Sequence, residues 1–345
     1  MVTFLFKFMF YFKRGSKQAD CEIMQLQRAC RRLGLPQVSQ EWLKQALVAG
    51  GGRLLGRGAY GEVRLAKDPE GRLMVVKTFY GSASELLAEA DALWAARSVP
   101  GVQSLVGVSP ESLQIVSLYA GRTTLCRALK EGSLKSKEIL WILKQVFTSI
   151  EGLHKEGLCH NDIKSDNVCL ARRDGSDLQA TVIDLGLARR PGTVPYDFKL
   201  RRPDRLYWLS PELKKRGRCC SATDVYSLAS LVLLASDSMD APPKQLLWWA
   251  QRAQTLEPSV RPSLSEGIAL LSSLINPSPQ YTRRGGLQRG KAGTSIEDCL
   301  LRGLQQRSLD LESQSQATQQ ISSCLSALTH PSSLRARPRQ LPHSF

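Results

Sequence analysis

The octapeptide HNDIKSDN, residues 160–167, places an Asp, a Lys two residues on and an Asn five residues on between two apolar runs. "LHKEGLC" before it closes a helical pattern, and "VCL" after it reads as a short strand. A polar cluster in that position either carries phosphoryl-transfer chemistry or is an ordinary turn whose side chains cap their own loop. The rest of the chain separates the two readings.

Upstream, "GRGAYGEV" supplies Gly56, Gly58 and Gly61, followed by Val63. Glycines let a backbone approach phosphate oxygens closely. In a dinucleotide fold such a motif would open a helix. Here "GEVRLA" continues as a strand, so the glycines cap a hairpin, as a phosphate-covering flap would. Lys77 interrupts the apolar strand "LMVVKTF". A lone ammonium buried there is costly, so Lys77 either reaches solvent at a strand edge or has a counter-charge. Glu89 and Glu85 of the next helix are the candidates, and Glu89 in "LLAEADALWA" faces back towards the sheet. Downstream, "VIDLGLA" sets Asp184 after another buried strand. Carboxylate and amide oxygens are hard ligands suited to Mg²⁺, which makes Asp162, Asn167 and Asp184 candidate ligands.

In this order the motifs resemble a eukaryotic-type protein kinase domain. "GRGAYGEV", "VVK", "HND…N", "DLG", "SPE" and "DVYSLA" with a later "RPS" span residues 52–276. The resemblance implies an α+β, two-lobed fold, with a small β-rich N-lobe and a larger helical C-lobe. It implies ATP and Mg²⁺ as cofactors and a kinase, a transferase acting on Ser or Thr of protein substrates. By position, Gly56, Gly58, Gly61 and Val63 would cover the nucleotide, and Lys77, held by Glu89, would contact the α/β-phosphates. Asp162 would take or orient the acceptor proton, Lys164 would contact the transferred phosphate, and Asn167 and Asp184 would bind Mg²⁺. Glu212 would pair with Arg261 to anchor the activation segment, and Asp224 would brace the catalytic loop.

The chain departs from the family pattern at several places. Asn161 stands where most members carry an Arg that reads activation-loop phosphate, so activity independent of phosphorylation at Thr193, Tyr196 and Tyr207 is expected. Leu185 replaces Phe, Ser210 replaces Ala, and Asp204 stands where Thr is frequent. These differences keep a scaffolding pseudokinase as the alternative to an active enzyme, and a small-molecule kinase as a third reading.

Composition frames the rest. The 345 residues carry a net charge of +16, 42% hydrophobic residues and nine cysteines without a metal-binding spacing. The charge favours anionic partners, and the Arg- and Lys-rich stretch over residues 188–205 suggests acidic protein substrates or simply a solvated basic loop. No zinc-finger or RNA-binding signature accompanies it, so no specific nucleic-acid partner is expected. Scattered cysteines point to a reducing, cytoplasmic or nuclear setting. Phe4, Phe6, Phe8, Phe10 and Phe12 alternate as on a strand with one aromatic face. Membrane or partner contact is one reading of that stretch and a disordered or oddly chosen start of the reading frame the other; the features of a signal peptide are not expected in it. Residues 1–51 read as an extension, helical from about 20 to 48 with Met24, Leu26, Ala29, Cys30 and Leu33 near one face. Residues 277–345 read as a Ser/Gln/Arg-rich, mostly disordered tail with one short helix, "SIEDCLLRGL".

Overall fold

The computed structural model describes residues 16–58, 61–80, 83–172, 178–196 and 203–277. The aromatic start, the tail from residue 278 with its "SIEDCLLRGL" segment, and residues 197–202 of the Arg- and Lys-rich stretch lie outside these.

Helix α1, Ser16–Arg32, opens the described chain. Its buried stripe is narrower than the sequence periodicity predicts: Leu26 and Cys30, one turn apart, are buried, while Met24 and Leu33 are exposed. After Pro36, residues 36–38 pair with a strand edge instead of continuing the helix, through Val38 N to Val108 O at 3.0 Å and Val108 N to Pro36 O at 2.9 Å. Helix α2, Gln40–Ala49, starts at Ser39, whose side chain accepts from Trp42 N.

Five antiparallel strands follow in the order β1-β2-β3-β5-β4: β1 Leu54–Arg57, β2 Gly61–Lys67, β3 Leu73–Phe79, β4 Leu105–Ser109 and β5 Gln114–Leu118. The two-residue period of β3 sorts its side chains. Met74 and Val76 pack with Ala66 and Val116 under Leu43 and Ala46 of α2. Val75 and Lys77 point to the other face, towards a cavity. That alternation is why an apolar strand carries a lysine.

Helix α3, Ala83–Ala95, crosses behind the sheet with Leu86, Glu89, Ala90 and Leu93 buried. These recur at i, i+3, i+4 and i+7, so Glu89 lies on the core face of α3. Helix α1 packs on α3, and Leu26 and Cys30 share one apolar cluster with Leu86, Ala90 and Leu93.

The larger, helical part contains α4 (Leu125–Lys130), α5 (Ser136–Lys155), α6 (Pro211–Lys214), α7 (Ser221–Ser236), α8 (Lys244–Ala253) and α9 (Leu264–Ile275). A three-stranded antiparallel sheet, β6 (Thr123–Thr124), β7 (Val168–Arg172) and β8 (Leu178–Val182), lies beside α5. Strands β7 and β8 pair either side of residues 173–177, which are outside the described residues. Between α7 and α8 only the short segment of residues 237–243 intervenes. Among the described residues, no helix is long and apolar enough to cross a membrane.

Candidate active site

A cavity of about 650 Å³ lies between the five-stranded sheet and the helical part. Gly56, Gly58, Gly61 and Val63 line one side, Lys77 and Glu89 its back, and Asn167 and Asp184 its floor. Apolar walls from Leu55, Val75, Ile115 and Ile183 suit a planar ring, while the basic and acidic end suits phosphates with a cation.

The three glycines are not equivalent. A Cβ on Gly61 would lie 2.1 Å from Thr78 O of the paired strand, so Gly61 is required by the sheet. Among the described residues, a Cβ on Gly56 or Gly58 would meet nothing within 4 Å. Those two positions face open space on the cavity side, where a ligand can approach the backbone.

Lys77 Nζ donates to Glu89 Oε1 at 2.9 Å, to Glu89 Oε2 at 2.7 Å and to Asp184 Oδ1 at 3.0 Å. Glu85 is exposed, which leaves Glu89 as the partner of Lys77. Burial pushes Glu89 up to about 7, against the pull of Lys77 and with a push from Asp184. Burial would also raise Asp184, but the Lys77 ammonium outweighs it and holds that carboxyl below its ordinary value. Burial alone would lower Lys77, yet the two carboxylates raise it, so it stays a cation. A Cβ on Gly186 would lie 2.9 Å from Glu89 Oε2, so the glycine of "DLG" leaves room for this pair. This role of Gly186 has no trace in the sequence beyond its place after Asp184 and Leu185 in the motif.

The 160–167 loop is tied down from below. Asp224, fully buried on α7, accepts from His160 N and Asn161 N at 2.8 Å each, and meets His154 Nε2 at 2.9 Å. His154, Cys159 and Asp224 have the composition of a metal site. Both Asp224 oxygens already accept from the loop backbone, however, which makes the group a brace. His160 Nδ1 accepts from Asp162 N at 3.3 Å while its Nε2 meets Ile183 O at 3.3 Å, linking the loop to the strand before Asp184.

Asn161 adopts φ 66°, a left-handed conformation that Asn tolerates better than most residues. Its side chain is fully buried, and Nδ2 donates to Cys159 O at 3.1 Å and Leu187 O at 2.9 Å. The amide thus joins the loop to the segment after Asp184 without a charge. Tyr196 is buried with its hydroxyl donating to Asn161 O at 2.9 Å, whereas Thr193 and Tyr207 are exposed.

Asp162 collects three donors. Lys164 Nζ reaches Oδ2 at 2.6 Å, Asn167 Nδ2 reaches Oδ2 at 3.1 Å, and Trp208 Nε1 reaches Oδ1 at 2.8 Å. Nothing in the sequence pattern pointed to Trp208, because its partner lies 46 residues away. With Nδ2 engaged on Asp162, Asn167 keeps its carbonyl oxygen for another ligand. Together with the Asp184 carboxylate on the same cavity wall, this hard-oxygen pair fits Mg²⁺, which takes one or two carboxylates plus phosphate and water oxygens. Further down, Arg261 makes a bidentate pair with Glu212, Nη1 to Oε1 at 2.7 Å and Nη2 to Oε2 at 3.0 Å. The side chain of Asp204 is outside the described residues.

A five-stranded antiparallel sheet followed by a helical body, with this cavity between them, is the α+β fold of kinases. The chain belongs to the protein kinase family: the family described as "Protein kinase domain" matches residues 51–256, more than half of the sequence. It is similar to the serine/threonine-protein kinase AfsK of Streptomyces coelicolor, 28% identical over 197 residues, or 53% of this chain and 23% of that protein. A probable myosin light chain kinase of Dictyostelium discoideum is 24% identical over 193 residues, covering 53% of this chain and 54% of its own length. An L-type lectin-domain containing receptor kinase of Arabidopsis thaliana is 29% identical over 200 residues, 52% of this chain and 29% of its own. The chain therefore spans between about a quarter and about half the length of these relatives.

Proposed function

We propose that the chain transfers the γ-phosphoryl group of Mg²⁺-bound ATP to Ser or Thr hydroxyls of proteins. The observation that carries this reading is the meeting of Lys77, Glu89 and Asp184 on one cavity whose floor also holds Asn167. In this reading Lys77 binds the α/β-phosphates, and Glu89 fixes its ammonium. Gly56 and Gly58 let the β1–β2 backbone close over the phosphates, while Val63 covers the ring. Bound through Asn167 and Asp184, Mg²⁺ would neutralise phosphate charge during transfer. Asp162 orients the acceptor hydroxyl and takes its proton as the oxygen bonds to the γ-phosphorus and the bond to ADP breaks. Lys164, whose Nζ lies 2.6 Å from Asp162 Oδ2, would contact the transferred group. The similarity to the serine/threonine-protein kinase AfsK, together with Lys164, supports the acceptor class.

Transfer from radiolabelled ATP, to the protein itself and to generic basic and acidic proteins, tests the reading. Asp162→Asn is expected to lower transfer by at least about 100-fold, in the range for removing a positioned proton acceptor, with nucleotide binding retained. Nucleotide binding without transfer by the unaltered chain would make it a scaffold instead.

A further inference from the structure

Trp208 lies outside the nucleotide cavity, yet its indole touches both groups assigned to the acceptor side. The N–H donates to Asp162 Oδ1 at 2.8 Å, and Lys164 Nζ sits 5.0 Å from the ring centroid, within cation–π range. A carboxylate offers about four lone-pair positions. Lys164 and Asn167 use the two on Oδ2, and Trp208 uses one on Oδ1. Among the described residues, the position left over is on Oδ1, beside the indole.

The backbone that presents Trp208 is anchored by the helix that anchors the loop. On α7, Asp224 accepts from His160 N and Asn161 N. Three residues on, Ser227 Oγ donates to Trp208 O at 2.7 Å, and three further, Ser230 Oγ donates to Tyr207 O at 3.3 Å. One face of a buried helix thus holds Asp162 and its indole partner in mutual register.

We infer that Trp208 is a positioning residue for the phosphoryl acceptor: its indole N–H sets the rotation of the Asp162 carboxylate, and its ring steadies Lys164. The free lone pair of Oδ1 then points at the incoming hydroxyl, which must enter along the indole edge. This inference rests on the phosphotransfer reading above and deepens it on the acceptor side.

Trp208→Phe keeps a ring for packing and for Lys164 but removes the donor. In the full-length chain, kcat for peptide phosphorylation is expected to fall about 10- to 100-fold, the range for a lost hydrogen bond to a charged group. KM for ATP should stay within about twofold, since the nucleotide contacts are elsewhere. In an Asp162→Asn background the same change should have no further effect, because the carboxylate it orients is gone. Independently of turnover, the indole N–H resonance of Trp208 in ¹⁵N-labelled protein should move upfield in Asp162→Asn. Unchanged kcat in Trp208→Phe would overturn the inference while leaving phosphotransfer intact. So would faster transfer, which would mean that the indole blocks the acceptor site. No transfer by the unaltered chain would overturn both readings.

Discussion

Arg261 shows what a single buried charge asks of its surroundings. Its side chain is 1% exposed, and besides Glu212 it donates to Ala222 O at 2.8 Å and Thr255 O at 3.0 Å. Burial would raise the pKa of Glu212, but hydrogen bonds from Arg261 outweigh it and hold that carboxyl below its ordinary value of 4.5. The sign follows from linkage: a carboxyl depressed in the folded state contributes stability above its unfolded pKa and loses it as pH falls through the folded value. The unaltered protein should therefore lose stability below about pH 4.5 through this pair. Glu212→Gln should flatten that acid limb in urea titrations at stepped pH. At pH 7 it should cost about 3 kcal/mol, because Arg261 is left buried without its counter-charge. Equal acid limbs in both proteins would rule the linkage out. The motif residues of this pair were readable because each sits in a short sequence signature. Asn161 was readable only as a missing charge. That its amide would turn inward to Leu187 O could not be read, since a contact across 26 residues has no periodic trace.

At the level of elements, the β1–β2 hairpin divides its glycines by function. Gly61→Ala should destabilise the protein by about 1–3 kcal/mol, as overpacking against a strand carbonyl does, with a lower thermal midpoint even without nucleotide. Gly56→Ala, whose Cβ meets nothing, should leave the midpoint unchanged without nucleotide and weaken ATP binding several-fold by holding the backbone off the phosphates. Calorimetric titration of ATP beside thermal melts separates the two effects, and similar behaviour of both variants would contradict the division. The sequence pattern grouped the three glycines, because a motif reports spacing and not which face each residue turns to the sheet. The same limit explains α1. Its periodicity predicted a common apolar face, but among its described side chains only Leu26 and Cys30 reach the core, because the contact with α3 is narrow.

For the whole molecule, the distribution of apolar burial sets how the parts unfold. One continuous cluster runs from Leu26 of α1 and Leu86 of α3 through Ile115 of β5 and Phe147 of α5 to Trp249 of α8 and Leu271 of α9. The sheet side and the helical side of the cavity thus share a core. Two smaller clusters stand apart, one under α2 and one joining Cys159, Tyr196, Leu209, Leu213 and Cys219. Elements that share a core lose it together, whereas a satellite cluster can open at lower cost. Trp94 packs against the main cluster from α3, and Trp249 is buried in it at α8, where its ring lies 5.0 Å from that of Phe147. With ¹⁹F-labelled tryptophan in the otherwise unaltered protein, the Trp94 and Trp249 resonances should therefore lose their native signals over coincident urea transitions. Saturating Mg²⁺-ATP at about 100 times its Kd should shift both by the same amount, about 2.7 kcal/mol, because the ligand binds only the shared folded state. Hydrogen exchange should show amides around Thr193 and Cys219 opening below that global free energy. Separate transitions for the two tryptophans would mean that the cavity divides two independently folding bodies and that the shared core does not couple them.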